Sequence, residues 1–113
     1  MEKITDDRGD LVCLIDSTQP FKRLLYLTIN PGFTRGNHYH KENSERFLLL
    51  EGSVRIKLEY NNSEKIFEMQ IGQIYKIEVG VRHSFENFSD WQVAKILVFS
   101  IGSFQEFGKD TFK

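Results

Sequence analysis

His38 and His40 sit two residues apart in the segment Thr34-Arg35-Gly36-Asn37-His38-Tyr39-His40, and Glu45 follows after the polar stretch Lys41-Glu42-Asn43-Ser44. In an extended strand, residues i and i+2 share a face, so both imidazoles aim at one point. The polar stretch bends the chain back and lets the Glu45 carboxylate join them. A later segment, Gly72 to Asn87, carries His83, which would complete a set of four ligands. Three imidazoles and a carboxylate form a borderline donor set for a divalent metal: zinc first, with iron, manganese, nickel or copper as further choices. A lone histidine in a strand is more often a hydrogen-bonded structural residue than a ligand. Here all three histidines of the chain fall in one arrangement. The competing reading is a metal-free site whose histidines act as acid and base, or only hydrogen-bond inside the fold.

Other side chains are ambiguous by type alone. Arg35 is either a surface cation or, beside a pocket, an anion clamp, because guanidinium pairs with phosphate through two hydrogen bonds. Tyr26, Tyr39 and Tyr75 read first as core aromatics with a polar tip, and one of them could serve in proton transfer. Arg82 is expected to be exposed and Cys13 to lie in the core.

The elements that must position these residues are short strands. Met1 to Thr5 reads as a lead-in, Leu11 to Ile15 as a strand, and Phe21 to Ile29 as a second that Asn30-Pro31-Gly32 ends. Then come the histidine strand, an apolar strand from Arg46 to Leu50, and Ser53 to Tyr60, whose clean alternation marks a half-buried strand. Asn61-Asn62-Ser63-Glu64 makes a hairpin loop. Strands over Lys65 to Met69, Ile74 to Ile77, His83 to Phe88 and Gln92 to Ile101 complete the set. No stretch shows useful helical periodicity. Many short strands with frequent turns argue for an all-β closed barrel or double-sheet roll.

The chain has 113 residues, enough for one domain, 1–113, with a real core. Its formal net charge is -1 and it has no basic stripe, which excludes a nucleic-acid footprint. No apolar run approaches the ~20 residues that span a membrane, and no secretory leader is expected. The single cysteine fits a reducing cytoplasm. Phe104, Phe107 and Phe112 are expected to cover a partner subunit in a homodimer.

The order Gly32, His38, His40, Glu45, Gly52 resembles the first motif of the cupin superfamily, and Gly72, Gly80, His83, Asn87 resembles the second. Glu78 stands where the second motif has proline. The resemblance implies a double-stranded β-helix, or jelly-roll, barrel. Asp7-Arg8-Gly9-Asp10-Leu11, Pro20 to Tyr26 and Arg35 to His40 occur in an order similar to small cupin enzymes of deoxysugar nucleotide biosynthesis. These are the dTDP-4-oxo-6-deoxyglucose 3,4-ketoisomerases and the dTDP-4-dehydrorhamnose 3,5-epimerases. The Arg-Gly-X-His-X-His segment also resembles the zinc-holding C-terminal cupin domain of capsular-polysaccharide epimerase/reductases.

This resemblance implies that His38 is a base beside a ketone, that His40 matches the second histidine, that Arg35 faces a nucleotide diphosphate, and that Tyr26 borders the substrate. The ketoisomerases work without metal, whereas Glu45 and His83 here complete a ligand set. The expected function is therefore a metal-binding isomerase or epimerase of a 4-keto-6-deoxysugar nucleotide in surface polysaccharide biosynthesis. The alternatives are a metal-dependent small-molecule oxygenase and a non-catalytic cupin that binds a sugar or a metal.

Overall fold

Val54, Ile56 and Leu58 are buried while Arg55, Lys57 and Glu59 between them remain half-buried, the period-two pattern of a strand with one face on a core. The same alternation runs through most of the chain. The computed structural model describes residues 3–14, 21–41, 43–102 and 112. Its strands are β1 (Lys3–Asp6), β2 (Gly9–Val12), β3 (Phe21–Ile29), β4 (Thr34–His38), β5 (Asn43–Glu51), β6 (Val54–Tyr60), β7 (Ser63–Glu68), β8 (Ile74–Ile77), β9 (Arg82–Asn87) and β10 (Ala94–Gly102).

β1 and β2 form a separate antiparallel hairpin. The other eight strands make two four-stranded sheets in the orders β3-β10-β5-β8 and β4-β9-β6-β7. Only β6 and β7 are consecutive neighbours in one sheet, so every other connection from β3 onward crosses between the sheets. That is the antiparallel jelly roll expected from the sequence. Phe47 and Leu49 of one sheet and Ile56 and Phe85 of the other meet in the core, with the Phe47 and Phe85 rings 4.5 Å apart. Each such side chain contributes about 1.5–3 kcal/mol by leaving water.

Asn87, fully buried at the end of β9, locks one end of the roll. Its Nδ2 donates to the carbonyls of Ile29 and Gln92, both at 2.8 Å, and its Oδ1 accepts from the Ser89 amide at 2.9 Å. β3, β9 and the loop before β10 are thereby tied together. Glu78, in place of the motif's proline, still supports a turn: the Val81 amide bonds its carbonyl at 3.3 Å, and Gly80 takes positive φ.

Several expected boundaries shift. Lys3 to Thr5 of the expected lead-in belong to strand β1, and Leu11 and Val12 of the first expected strand to the second arm of a hairpin, because residues 3–6 find a local partner in residues 9–12; Met1, Glu2 and Ile15 lie outside the described residues. The apolar strand begins at Asn43 rather than Arg46, since β10 pairs with it as far as Asn43. The hairpin loop is only Asn61-Asn62, with Tyr60 opposite Ser63. Cys13 is half-buried. Phe112 pairs within the chain, where its backbone exchanges hydrogen bonds with Tyr39 at 2.9 and 3.0 Å and the two rings stack. Phe104 and Phe107 lie outside the described residues.

Candidate metal centre

A bulge in β4 sets the site. Arg35 pairs with Phe85 and Gly36 with Ser84, but His38 then pairs with His83, so Asn37 is the extra residue. Asn37 has φ 62° and Gly36 φ 100°. Without the extra residue, His38 would fall on the outer face, because side chains alternate along a strand. With it, Arg35, His38 and, two residues on, His40 all face the inside. Arg82 stabilises the bulge: its Nη1 donates to the Asn37 carbonyl at 3.0 Å, and its guanidinium lies 5.4 Å from the Tyr39 ring. Arg82 is half-buried rather than exposed for this reason.

The facing sheet supplies Glu45. It sits inside β5, not on a bend before it, with Ser100 of β10 on one side and Ile77 of β8 on the other. Ser100 Oγ donates to Glu45 Oε2 across 3.4 Å. The other oxygen, Oε1, lies 2.7 Å from His40 Nε2 and 3.5 Å from His83 Nε2. The His38 ring is 5.0 Å from that of His40 and 4.8 Å from that of His83. One ligand atom from each of His38, His40, Glu45 and His83 falls within 4.8 Å of the others.

The donor chemistry fits a cation. His83 Nδ1 lies 3.0 Å from the Val81 carbonyl, which only accepts, so Nδ1 carries the proton and Nε2 presents its lone pair to the centre. Burial pushes the His83 pKa down to about 4 against the pull of the Val81 carbonyl and Glu45, so the ring is neutral at pH 7. His83 Nε2 and Glu45 Oε1 are buried without a hydrogen bond of acceptable geometry. The 2.7 Å approach of Glu45 Oε1 to His40 Nε2 lacks the direction of a hydrogen bond. A buried carboxylate oxygen and a buried imidazole lone pair left in this state are costly unless an ion or proton sits between them.

The cluster lines a cavity of about 490 Å3 between the sheets. Leu25, Leu27, Phe47, Phe85 and Val98 give it an apolar lining, and Arg35 and Tyr26 border it. Arg35 Nε donates to the Thr28 carbonyl at 3.0 Å. Tyr26 is 58% exposed, and strand alternation assigns its side chain to the face opposite Leu25 and Leu27. Tyr75 is a core aromatic whose hydroxyl accepts from the Gln70 amide at 2.7 Å. The sequence reading missed Arg23, Asn43 and Ser100, which also line the cavity. The inward phase of β3, in which Arg23 alternates with Leu25 and Leu27, was the available signal.

A family model described as the polysaccharide biosynthesis C-terminal domain matches residues 4–112. A 53-residue stretch is 38% identical to UDP-2-acetamido-2,6-beta-L-arabino-hexul-4-ose reductase of Pseudomonas aeruginosa. That match covers 47% of this chain and only 14% of the reductase. QdtA, a sugar 3,4-ketoisomerase from Thermoanaerobacterium thermosaccharolyticum solved in complex with TDP, is 28% identical and superposes with a TM-score of 0.78 over 98% of this chain and 82% of its own. The WlaRB TDP-quinovose 3,4-ketoisomerase from Campylobacter jejuni gives 28%, 0.79, 98% and 86%. The capsular polysaccharide assembling protein CapF from Staphylococcus aureus gives 26% and 0.68 over 98% of this chain and 33% of its own. The roll is thus the all-β cupin fold. On the match over residues 4–112, the chain belongs to the polysaccharide biosynthesis C-terminal domain family.

Proposed function

We propose that the chain holds one divalent metal ion, zinc first, on His38, His40, Glu45 and His83, and acts as an isomerase or epimerase on a 4-keto-6-deoxysugar nucleotide in surface polysaccharide biosynthesis. The observation that carries this reading is the convergence of the four side chains in one cavity. The likeness to sugar 3,4-ketoisomerases supports the substrate class.

When bound, the ion would polarise the ketone oxygen and offset the negative charge that develops there. His38 or His40 serves as the base beside the ketone only when it is not holding the ion, because a coordinated imidazole carries its proton on the second nitrogen and has no lone pair left, so the two roles compete at these residues. Leu25, Leu27, Phe47, Phe85 and Val98 keep the sugar end of the cavity dry, which strengthens every charge interaction within it. Arg35 takes the diphosphate, and Tyr26, turned to the outer face of β3, meets the substrate only at the cavity mouth. A homodimer in the cytoplasm belongs to the same proposal. Among the described residues, no helix is long and apolar enough to cross a membrane.

Incubation with TDP-4-keto-6-deoxyglucose in deuterated water tests the reaction. Deuterium is expected at C3 or C5. No exchange with this or with UDP-linked 4-keto sugars would overturn the reading. A second reading, a non-catalytic binding module, draws on the small share of CapF and of the reductase that the chain spans. Tight sugar-nucleotide binding without exchange would favour it. An oxygenase built on the same donors would be separated by iron content and oxygen uptake.

A further inference from the structure

Arg23 occupies a distinct place in the cavity. It stands opposite Ser100, and Ser100 stands opposite Glu45, so Arg23, Ser100 and Glu45 form one inward-facing row across β3, β10 and β5. Neighbouring strands lie about 4.8 Å apart, so the Arg23 backbone is roughly 10 Å from that of Glu45, within reach of an arginine side chain. His83 faces the same row, because its Nε2 is 3.5 Å from Glu45. Arg23 therefore sits at the level of the candidate metal centre.

Arg35 sits elsewhere. Its guanidinium is fixed to the Thr28 carbonyl. Thr28 is five residues beyond Arg23, roughly 17 Å along the strand at about 3.4 Å per residue. The two arginines bracket the cavity lengthwise instead of gripping one point. Arg23, Arg35 and Glu45 are its formally charged lining residues among those described, so two cations face one anion before any metal is added. Guanidiniums at both ends suit a ligand that carries oxygen acceptors along its length.

We infer that Arg23 reads the sugar, its guanidinium donating to the oxygen substituent next to the reacting carbon, while Arg35 at the far end holds the diphosphate. This rests on the sugar-nucleotide reading above and adds an orientation to it: sugar toward Glu45, phosphates toward Thr28. The developing enolate oxygen then meets a fixed cation from the protein itself.

The test compares wild type, Arg23→Gln, Arg23→Lys and Arg35→Gln for calorimetric binding of TDP and of TDP-4-keto-6-deoxyglucose, deuterium exchange, metal content and melting temperature. Arg23→Gln is expected to keep TDP affinity within about twofold, as a distant site should. It is expected to lose the extra affinity for the sugar-bearing ligand and about 100-fold in exchange rate, the usual effect of removing one oxyanion donor. Arg23→Lys should recover part of both. Arg35→Gln should weaken both ligands about tenfold or more, as loss of a charged hydrogen bond does. Arg23→Gln that weakens TDP as much as Arg35→Gln, that exchanges at the wild-type rate, or that loses its metal along with Arg23→Lys would overturn the inference. A wild type that neither exchanges nor prefers the sugar-bearing ligand fails the proposed reaction itself, and the inference falls with it.

Discussion

Gly36 lies so close to β9 that a Cβ at its position would stand 2.9 Å from the carbonyl oxygen of His83 and 3.1 Å from the Ser84 Cα. The contact is with backbone, so no side-chain movement relieves it. Gly36 also has φ 100°, a conformation that L residues avoid. The glycine thus permits the β4 bulge, and the bulge turns His38 inward beside His83.

Gly36→Ala is therefore expected to cost about 1–3 kcal/mol, the range for enforced backbone strain, and to impair metal retention. Thermal unfolding and metal content on one preparation check this. A variant as stable and as metal-loaded as wild type would mean that the close approach does not shape the site.

The buried His83 makes stability depend on pH. Its pKa is about 4 in the fold against an ordinary 6.5, chiefly because burial strips water from the ring. Between those values the unfolded chain holds a proton that the native chain does not, so stability falls as pH falls across that window and levels off below it. The His83 contribution to the loss between pH 7 and pH 5 is about 2 kcal/mol. Denaturant titrations of metal-free protein at both pH values should show it, and His83→Gln should show a smaller difference. Equal pH dependence in the two proteins would assign the effect to other groups.

Asn87 serves the frame and not the chemistry. Asn87→Ala strips partners from the Ile29 and Gln92 carbonyls and the Ser89 amide at a fully buried position. A loss of about 2–4 kcal/mol is expected from these groups left unsatisfied. Below the melting transition the variant should still hold its metal. Unchanged stability would remove Asn87 as the tie between β3 and β9.

Much of this was legible in the residues. The period-two run at Val54–Tyr60 matches the observed strand because burial on one face alone sets its pattern, and Phe21–Ile29 matches because the turn signals on either side bound it. The His38, His40, Glu45, His83 set was legible because the chain has only three histidines and all of them fall at the motif positions, His83 in a second segment far along the chain. What stayed hidden depends on partners distant in sequence. The early start of β5 follows from pairing with β10, and the half-burial of Arg82 from a carbonyl in a bulge that Gly36-Asn37 only hints at. Arg23 did not stand out by its type, because only β10 places Ser100 and Glu45 in its row.

Glu45 tests the ligand set from the other sheet. Glu45→Gln keeps the shape and removes the charge. Its metal affinity should fall by more than about 100-fold, beyond the loss seen when only a supporting residue is changed. Competition titration with a chromogenic chelator measures this. An affinity equal to wild type would remove Glu45 from the set.

The most direct measurement is elemental analysis of the purified protein beside His83→Ala, with melting curves for both, before and after reconstitution with zinc, iron, manganese or nickel. The four-ligand account predicts near-stoichiometric divalent metal in the wild type, a melting temperature that falls when chelator removes it, and neither property in the variant. No bound metal in the wild type after reconstitution would contradict the account and leave His38 and His40 as free bases.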